Sequence, residues 1–213
     1  MSSERGTVGQ RYFAGIYPRI MNRVEAGGHG RLRARHLSRA RGRTLDLGTG
    51  NGYSVPHYPV EVTDLTMVEP NPGLRDQLQA VVGKIRAERW EILDGDAYRL
   101  PFEDGSFDTV AASLLFCSLD DPDLALAEVH RVLRPGGTFL FHEHVRGQGV
   151  PGFVHDLITP VQRRLGDGCR PNRDFLATLE RSPLAAVEIE EHSGAGGLLP
   201  LVVGRASGRH DGR

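Results

Sequence analysis

Residues Thr44 to Tyr53 read Thr-Leu-Asp-Leu-Gly-Thr-Gly-Asn-Gly-Tyr, and no other stretch restricts the fold as much. Leu45 and Leu47 alternate with Asp46 in a run that suits a short strand, and Gly48, Gly50 and Gly52 follow at every second position. Glycine tolerates positive φ and lets a ligand come close to the backbone. A strand that enters such a loop and leaves into a helix turns backbone N–H groups toward a bound anion. Asp46 falls inside the apolar strand end, where an unpaired carboxylate is costly. Taken alone, the stretch also reads as an ordinary glycine-rich turn. The dinucleotide fingerprint does not fit, because Tyr53 and Val55 stand where its third glycine would fall.

A chain of 213 residues suffices for one domain that buries most of its unfolded surface. No apolar run approaches the roughly 18 residues of a membrane span. The start, Met-Ser-Ser-Glu-Arg-Gly, leads into no apolar signal core, so the expected setting is cytoplasmic, with no membrane partner. Cys117 and Cys169 are the only cysteines. With Cys117 read into an apolar strand and neither residue in a metal-type cluster, free thiols and no bound metal are expected; His142, His144 and Cys169 offer metal-ligand chemistry, but not as closely spaced ligands on a shared loop. Residues 1–44 carry ten arginines against Glu4 and Glu25, a balance of +8, so a net charge of −1 leaves −9 for the remainder. A basic arm of this kind is one route to nucleic acid. Here the arginines are spread over helix-like sequence without an aromatic platform, which favours a solvated helical face and argues against a nucleic-acid partner.

Along the chain, residues 1–10 read as disordered. Tyr12, Phe13, Ile16, Tyr17, Ile20 and Met21 then mark a one-sided helix over Arg11 to Val24 that Pro18 should bend or restart. Gly27 and Gly28 break it, and an arginine-rich helix from Gly30 to Arg41 leads into the first strand. Thr66 to Glu69, Trp90 to Leu93, Phe107 to Phe116 and Thr138 to Phe141 read as further strands. Helices are expected around Leu74, Leu78 and Val81 and over Asp121 to Leu133. That alternation predicts an open α/β sheet with ligands at the carboxyl edge of its strands. Beyond Arg146 the pattern predicts a helix from Val150 to Leu165 interrupted by Pro160, and a helix capped by Asn172. A final hairpin follows from Glu188 to Glu191 and Leu201 to Val203, and the tail frays from about residue 207. The expected organisation is one domain: a helical cap (1–43), a cofactor core (44–145), a lid and strand hairpin (146–206) and a disordered tail (207–213).

Three acids, Asp46, Glu69 and Asp96, fall at the ends of successive predicted strands beside the glycine loop, an arrangement that describes a nucleoside site. Glu69 can accept two hydrogen bonds from a ribose diol. Asp96 can accept one from an adenine amine, while the Ala97 N–H faces a ring nitrogen. No lysine follows the glycines, which argues against a nucleoside triphosphate.

Leu45 to Gly52, Val68-Glu69-Pro70, Asp94-Gly95-Asp96-Ala97, Leu100-Pro101-Phe102, Ser106-Phe107-Asp108 and Arg131 to Gly137 together resemble the successive motifs of class I S-adenosylmethionine-dependent methyltransferases. The resemblance implies a Rossmann-like open sheet of seven strands with the last antiparallel, and S-adenosyl-L-methionine as cofactor. It places Asp46, Gly48, Thr49, Gly50 and Gly52 by the methionine part, Glu69 with Pro70 at the ribose, Asp96 with Ala97 at the adenine, and the backbone of Ser113 and Leu114 at the methionine amine. Leu115 to Ser118, Glu143 to Val145, Gly166 to Cys169, Arg173, Pro200, Gly204 and Ala206 further resemble the methyltransferase-like seven branch, which includes alkyl-thiol methyltransferases. The tryptophans expected after Val145 and an anchoring apolar amino terminus are lacking, which leaves the acceptor open.

The function expected is in-line methyl transfer to a small-molecule thiol, hydroxyl or amine; a non-catalytic S-adenosylmethionine-binding regulatory or assembly protein is the alternative. His144 is the candidate base, with a structural histidine as the plain reading, and His142 and His155 rank below it. The acceptor pocket is expected from Tyr12, Phe13, Ile16, Tyr17, Phe116 and His144, roofed by the first helix and the segment from Val150 to Cys169. A monomer or homodimer is expected.

Overall fold

The computed structural model describes residues 7–194 and 199–209. Strands β1 (Gly42–Leu47), β2 (Val62–Val68), β3 (Arg89–Leu93), β4 (Phe107–Ser113), β5 (Leu133–His144), β6 (Leu184–Gly194) and β7 (Leu199–Gly208) form one sheet ordered β3-β2-β1-β4-β5-β7-β6. The first five pair in parallel, and β7 runs antiparallel to both of its neighbours. Helices α1 (Val8–Val24), α2 (Gly30–Leu37), α3 (Pro72–Gln79), α4 (Pro122–Val132), α5 (Gly149–Leu165) and α6 (Phe175–Arg181) surround it. This is the expected Rossmann-like open sheet.

The central strands are apolar on both faces because each face has its own cover. Leu45, Leu47, Val110, Ala112, Phe139 and Phe141 pack in one layer with Leu126 and Val129 of α4 and Phe175 and Leu179 of α6. Their alternating neighbours Ala111 and Leu140 join Leu65 and Met67 in the opposite layer, with Leu37, Tyr58 and Leu78. Chain order reverses between β1 and β4, so the crevice outside their carboxyl ends lies at the switch point of the sheet.

Several boundaries differ from expectation, each for a local reason. Helix α1 starts at Val8, inside the stretch read as disordered, because Thr7 and Gln10 form a reciprocal capping box; residues 1–6 lie outside the described part. Pro18 does not interrupt α1. It cannot donate to the Ala14 carbonyl, and Gln77 Nε2 of α3 does so instead at 2.8 Å. A π-helical turn, Glu25–His29, with Gly28 at φ 118° joins α1 to α2, which ends at Leu37 and not at Arg41. The helix after the glycine loop is a single 3₁₀ turn, Val55–His57. Pro160 lies within α5 without ending it. The cap of α6 is Asp174, which accepts the Ala177 N–H, whereas Asn172 donates to Asp156. Ser207 and Gly208 extend β7 because they pair with Ala185 and Leu184, so strand occupies the start of the expected tail; residues 210–213 lie outside the described part.

Candidate active site

The glycine loop leaves β1 with Gly48, Gly50 and Gly52 at φ 69°, 63° and 90°. A Cβ at Gly48 would come within 2.7 Å of Leu115, and one at Gly52 within 2.5 Å of Val81, so packing as well as backbone conformation requires glycine there. At Gly50 the nearest group would be the Tyr17 ring at 3.8 Å. Glu69, just past β2, ties this loop down: its Oε2 accepts the Gly50 N–H at 2.9 Å and its Oε1 accepts the Asn71 N–H at 2.8 Å. Burial pushes Glu69 up to about 7 against these two donors. Asn71 is buried too, and its amide reaches Asp167 in the turn after α5 at 3.1 Å and the Gln10 carbonyl of α1 at 3.3 Å.

Asp46 lies on β1 beneath the loop, and Thr49 Oγ1 donates to its carbonyl. Burial pushes its carboxyl up to about 7, opposed by the Arg33 guanidinium and by the hydroxyls of Tyr58 and Thr49. Arg33 itself is buried, donating to Ser54 at 3.1 Å and to Glu25 at 2.8 Å. The solvated-face reading of the amino-terminal arginines therefore fails at Arg33. Arg35 of the same helix and Arg39 just beyond it pair with Glu190 and Glu188 of β6. Asp96 is exposed after β3, and its Oδ1 accepts the Tyr98 and Arg99 N–H groups; Ala97 is buried and Pro70 exposed.

Beyond half-buried Ser113, Leu114 turns the chain with φ 56° and donates to the His142 carbonyl at 2.8 Å. The next two N–H groups, of Leu115 and Phe116, converge on Glu143 Oε1 at 2.7 and 3.0 Å. Glu143 is fully buried, which pushes it up to about 7. Sequence reading did not assign it this role, since nothing in the spacing links residue 143 to residue 115. Phe116 is not a pocket residue: it is buried in the core against Phe139 and Phe175.

On α1, Tyr12 is 56% exposed, whereas Phe13, Ile16 and Tyr17 are half-buried. The rings of Phe13 and Tyr17 lie 4.9 Å apart, and Tyr17 meets Tyr53 at 6.4 Å. This group lies over the glycine loop. The turn that follows α5 carries Asp167 and Cys169; α5 itself buries Gly152 and His155 and exposes Val150, Phe153, Leu157, Val161 and Leu165. His155 accepts the Gly147 N–H, and His142 is buried beside the His29 ring.

His144 Nε2 lies 3.6 Å from Cys169 Sγ, which lies 3.6 Å from Cys117 Sγ. Burial alone would lower the His144 pKa, but the Cys169 hydrogen bond and Glu143 outweigh it and hold it above the usual histidine value. Cys117 stands in the turn after β4 and not in the strand. The two cysteines and His144 thus form one cluster, against the reading that neither cysteine belonged to one; His142 is not part of it. A separate groove of about 830 Å³ runs beside α6 and β6, lined by Val145, Ala177, Ala185 and Pro200, and includes no glycine-loop residue. Among the described residues, no helix is long and apolar enough to cross a membrane.

A glycine loop, a carboxylate ending the neighbouring strand and a helical cover, all at the switch point, define a nucleoside-binding domain of Rossmann-like type. Residues 45–141 match the family model described as a methyltransferase domain. Over 151 residues the chain is 33% identical to human thiol S-methyltransferase TMT1B, covering 68% of this chain and 61% of that protein. Over 199 residues it is 33% identical to demethylmenaquinone methyltransferase of Deinococcus radiodurans, covering 88% and 82%. An S-adenosylmethionine-dependent methyltransferase structure from Thermotoga maritima superposes with a TM-score of 0.69 at 18% identity, covering 94% of this chain and all of that one. The chain belongs to the class I S-adenosylmethionine-dependent methyltransferases, near the thiol S-methyltransferase branch, and S-adenosylmethionine is its cofactor. It spans less than two thirds of the length of the thiol S-methyltransferases that it matches.

Proposed function

We propose that this chain transfers the methyl group of S-adenosylmethionine to a small-molecule acceptor, and that the acceptor is a thiol. The observation that carries the reading is the junction of Glu69 with Gly50, which fixes a buried carboxylate against the glycine loop at the sheet's switch point. Glu69 accepts the ribose hydroxyls through the lone pairs that Gly50 and Asn71 leave open. Asp96 accepts the adenine amine beside the Ala97 N–H. Gly48 to Gly52 lie along the methionine part above Asp46, and the backbone at Ser113 and Leu114 receives its amine. The bound cofactor supplies an activated sulfonium methyl group, so the protein mainly positions the acceptor and excludes water. Phe13, Ile16 and Tyr17 provide that cover on one side and the turn of Asp167 on the other.

The thiol is supported by the similarity to thiol S-methyltransferases. It also needs little base assistance, with an unperturbed pKa of about 8.5. His144 Nε2 already meets Cys169 Sγ, so the reading does not depend on His144 as a base. The test is incubation with labelled S-adenosylmethionine and a panel of thiols, phenols, quinols and amines. Methylation of thiols above the other classes is expected. Turnover confined to another class would replace the acceptor, and cofactor binding without turnover at any pH would favour a non-catalytic cofactor-binding protein.

A further inference from the structure

Cys117, His144 and Cys169 come from three separate parts of the chain and meet beside the β4 and β5 exits, with ligand atoms within 4.8 Å of one another. The two resolved edges of this triangle are a sulfur–sulfur distance of 3.6 Å and a sulfur–nitrogen distance of 3.6 Å. Bonds of about 2.3 Å to sulfur and about 2.0–2.1 Å to nitrogen at tetrahedral angles put these edges at about 3.8 and 3.6 Å. Both edges that meet at Cys169 therefore have the length expected in a tetrahedral zinc site, and the third, between Cys117 and His144, is no longer than 4.8 Å.

The frame around it is fixed before any ion arrives. Arg170 N–H donates to the Cys117 carbonyl at 2.9 Å, and Cys169 N–H to the Gly166 carbonyl at 3.0 Å. Gly168, at φ 89°, lies so close to Ser118 that a Cβ would come within 2.8 Å of its carbonyl oxygen. These contacts lock the turn bearing Cys169 onto the turn bearing Cys117, while His144 is held by its pairing with Leu201. Gln162 Nε2 lies 4.0 Å from Cys169 Sγ as a donor, while the hydrogen bond with Cys117 and burial push the metal-free Cys169 thiol well above its ordinary range, so the bound ion itself must supply the charge that holds the thiolates. Cys117 is buried, whereas Cys169 and His144 are only partly so, which leaves an approach from their side.

We propose that Cys117, His144 and Cys169 form a three-ligand site for a soft, tetrahedrally coordinated divalent cation of the Zn²⁺ kind, with the fourth position left for an exogenous thiolate. Two sulfurs and an imidazole select such an ion over Mg²⁺ or Ca²⁺, which take oxygen ligands. Three protein ligands and one open position are the pattern of a working zinc site, whereas structural sites fill all four. Binding releases the two cysteine protons and any proton on His144 to solvent, and an incoming thiol releases one more as its sulfur takes the fourth position. That last clause rests on the thiol reading of the acceptor; the three-ligand site does not.

The test is titration of the reduced, metal-free full chain with Co²⁺ under anaerobic conditions. One equivalent should bind with thiolate-to-cobalt charge-transfer absorption and the visible bands of a tetrahedral site, and Zn²⁺ should displace it. Cys169→Ser should lose about half of the charge-transfer intensity, and affinity should fall at least about a hundredfold, beyond the usual loss for an outer-shell partner. Cys169 is partly exposed, whereas Cys117 is buried in the fold, so Cys169→Ser is the variant expected to fold, with circular dichroism as the check. Two reduced thiols with no thiolate band would overturn the site, as would an equal response from Cys169→Ser. Adding a small thiol to the cobalt form should shift the visible bands. An unshifted spectrum would overturn the fourth-position clause alone, whereas the turnover panel judges the acceptor.

Discussion

Glu69 Oε2 accepts the Gly50 N–H at 2.9 Å, so the carboxylate that ends β2 holds the loop that ends β1. The same group spans to the Asn71 N–H, and through Asn71 the network reaches α1 and the turn of Asp167. Replacing Glu69 by Ala removes an anchor of the loop together with the proposed ribose acceptor. Hydrogen bonds to charged groups are worth about 1.5–3 kcal/mol each. The dissociation constant for S-adenosylmethionine should therefore rise by roughly tenfold or more. Calorimetry showing an unchanged constant in a folded variant would unseat Glu69 from the ribose.

Glu69 also predicts a pH dependence. Its pKa is about 7 in the free protein, and burial is the leading cause. Hydroxyl donors from the ribose favour the ionised form, so binding should lower this pKa and expel a proton. As pH falls below 7, affinity should therefore weaken, by up to about tenfold per pH unit. Well above 7 the carboxyl is already ionised and affinity should level off. Asp46 and Glu143 are also raised to about 7, so the Glu69→Gln variant is needed to isolate the effect. Calorimetry in buffers of differing ionisation heat should detect proton release in the wild type and less in the variant. Equal release in both would assign the linkage to another acid.

The central sheet was legible because its signals are local. The apolar runs of β1, β2 and β4 and the glycines after Leu47 need no knowledge of distant residues. The network around them was not legible. Arg33 reads as one of many helical arginines, and only the fold places it beside Glu25 and Ser54. Cys117 and Cys169 are 52 positions apart, with no spacing that signals a cluster, and Cys117 was read into a strand that ends at Ser113. The capping box of Thr7 and Gln10 was readable in principle, since the pair has the required separation of three.

Helix α1 predicts a truncation phenotype that separates its roles. Tyr17 lies over Gly50, and the Gln10 carbonyl accepts from Asn71, so the helix that is proposed to cover the acceptor also touches the cofactor loop. Deleting residues 1–22 should therefore weaken cofactor affinity and reduce turnover further, because water then reaches the reacting centre. Measuring the two separately distinguishes the alternatives. Normal acceptor Michaelis constant and rate in the truncated protein would refute the cover.

The docking of α1 on α3 gives a sharper test, because a proline creates the acceptor that a glutamine uses. Pro18 has no N–H, so the carbonyl of Ala14, four residues earlier, lacks its helical donor. Gln77 Nε2 supplies a donor at 2.8 Å, and Ala14 is buried against α3, where a Cβ on Gly73 would come within 2.9 Å of its methyl. Gln77→Leu should leave this carbonyl unsatisfied at a cost of about 1–3 kcal/mol. Pro18→Ala restores the helical N–H, so in the Gln77→Leu background it should recover much of that loss. In the wild-type background the same change gains less, because Gln77 already satisfies the oxygen. The two substitutions should thus be coupled, with the double variant more stable than the sum of the single effects. Urea unfolding of all four proteins measures this. Additive effects within about 0.5 kcal/mol would show that Gln77 does not compensate for Pro18.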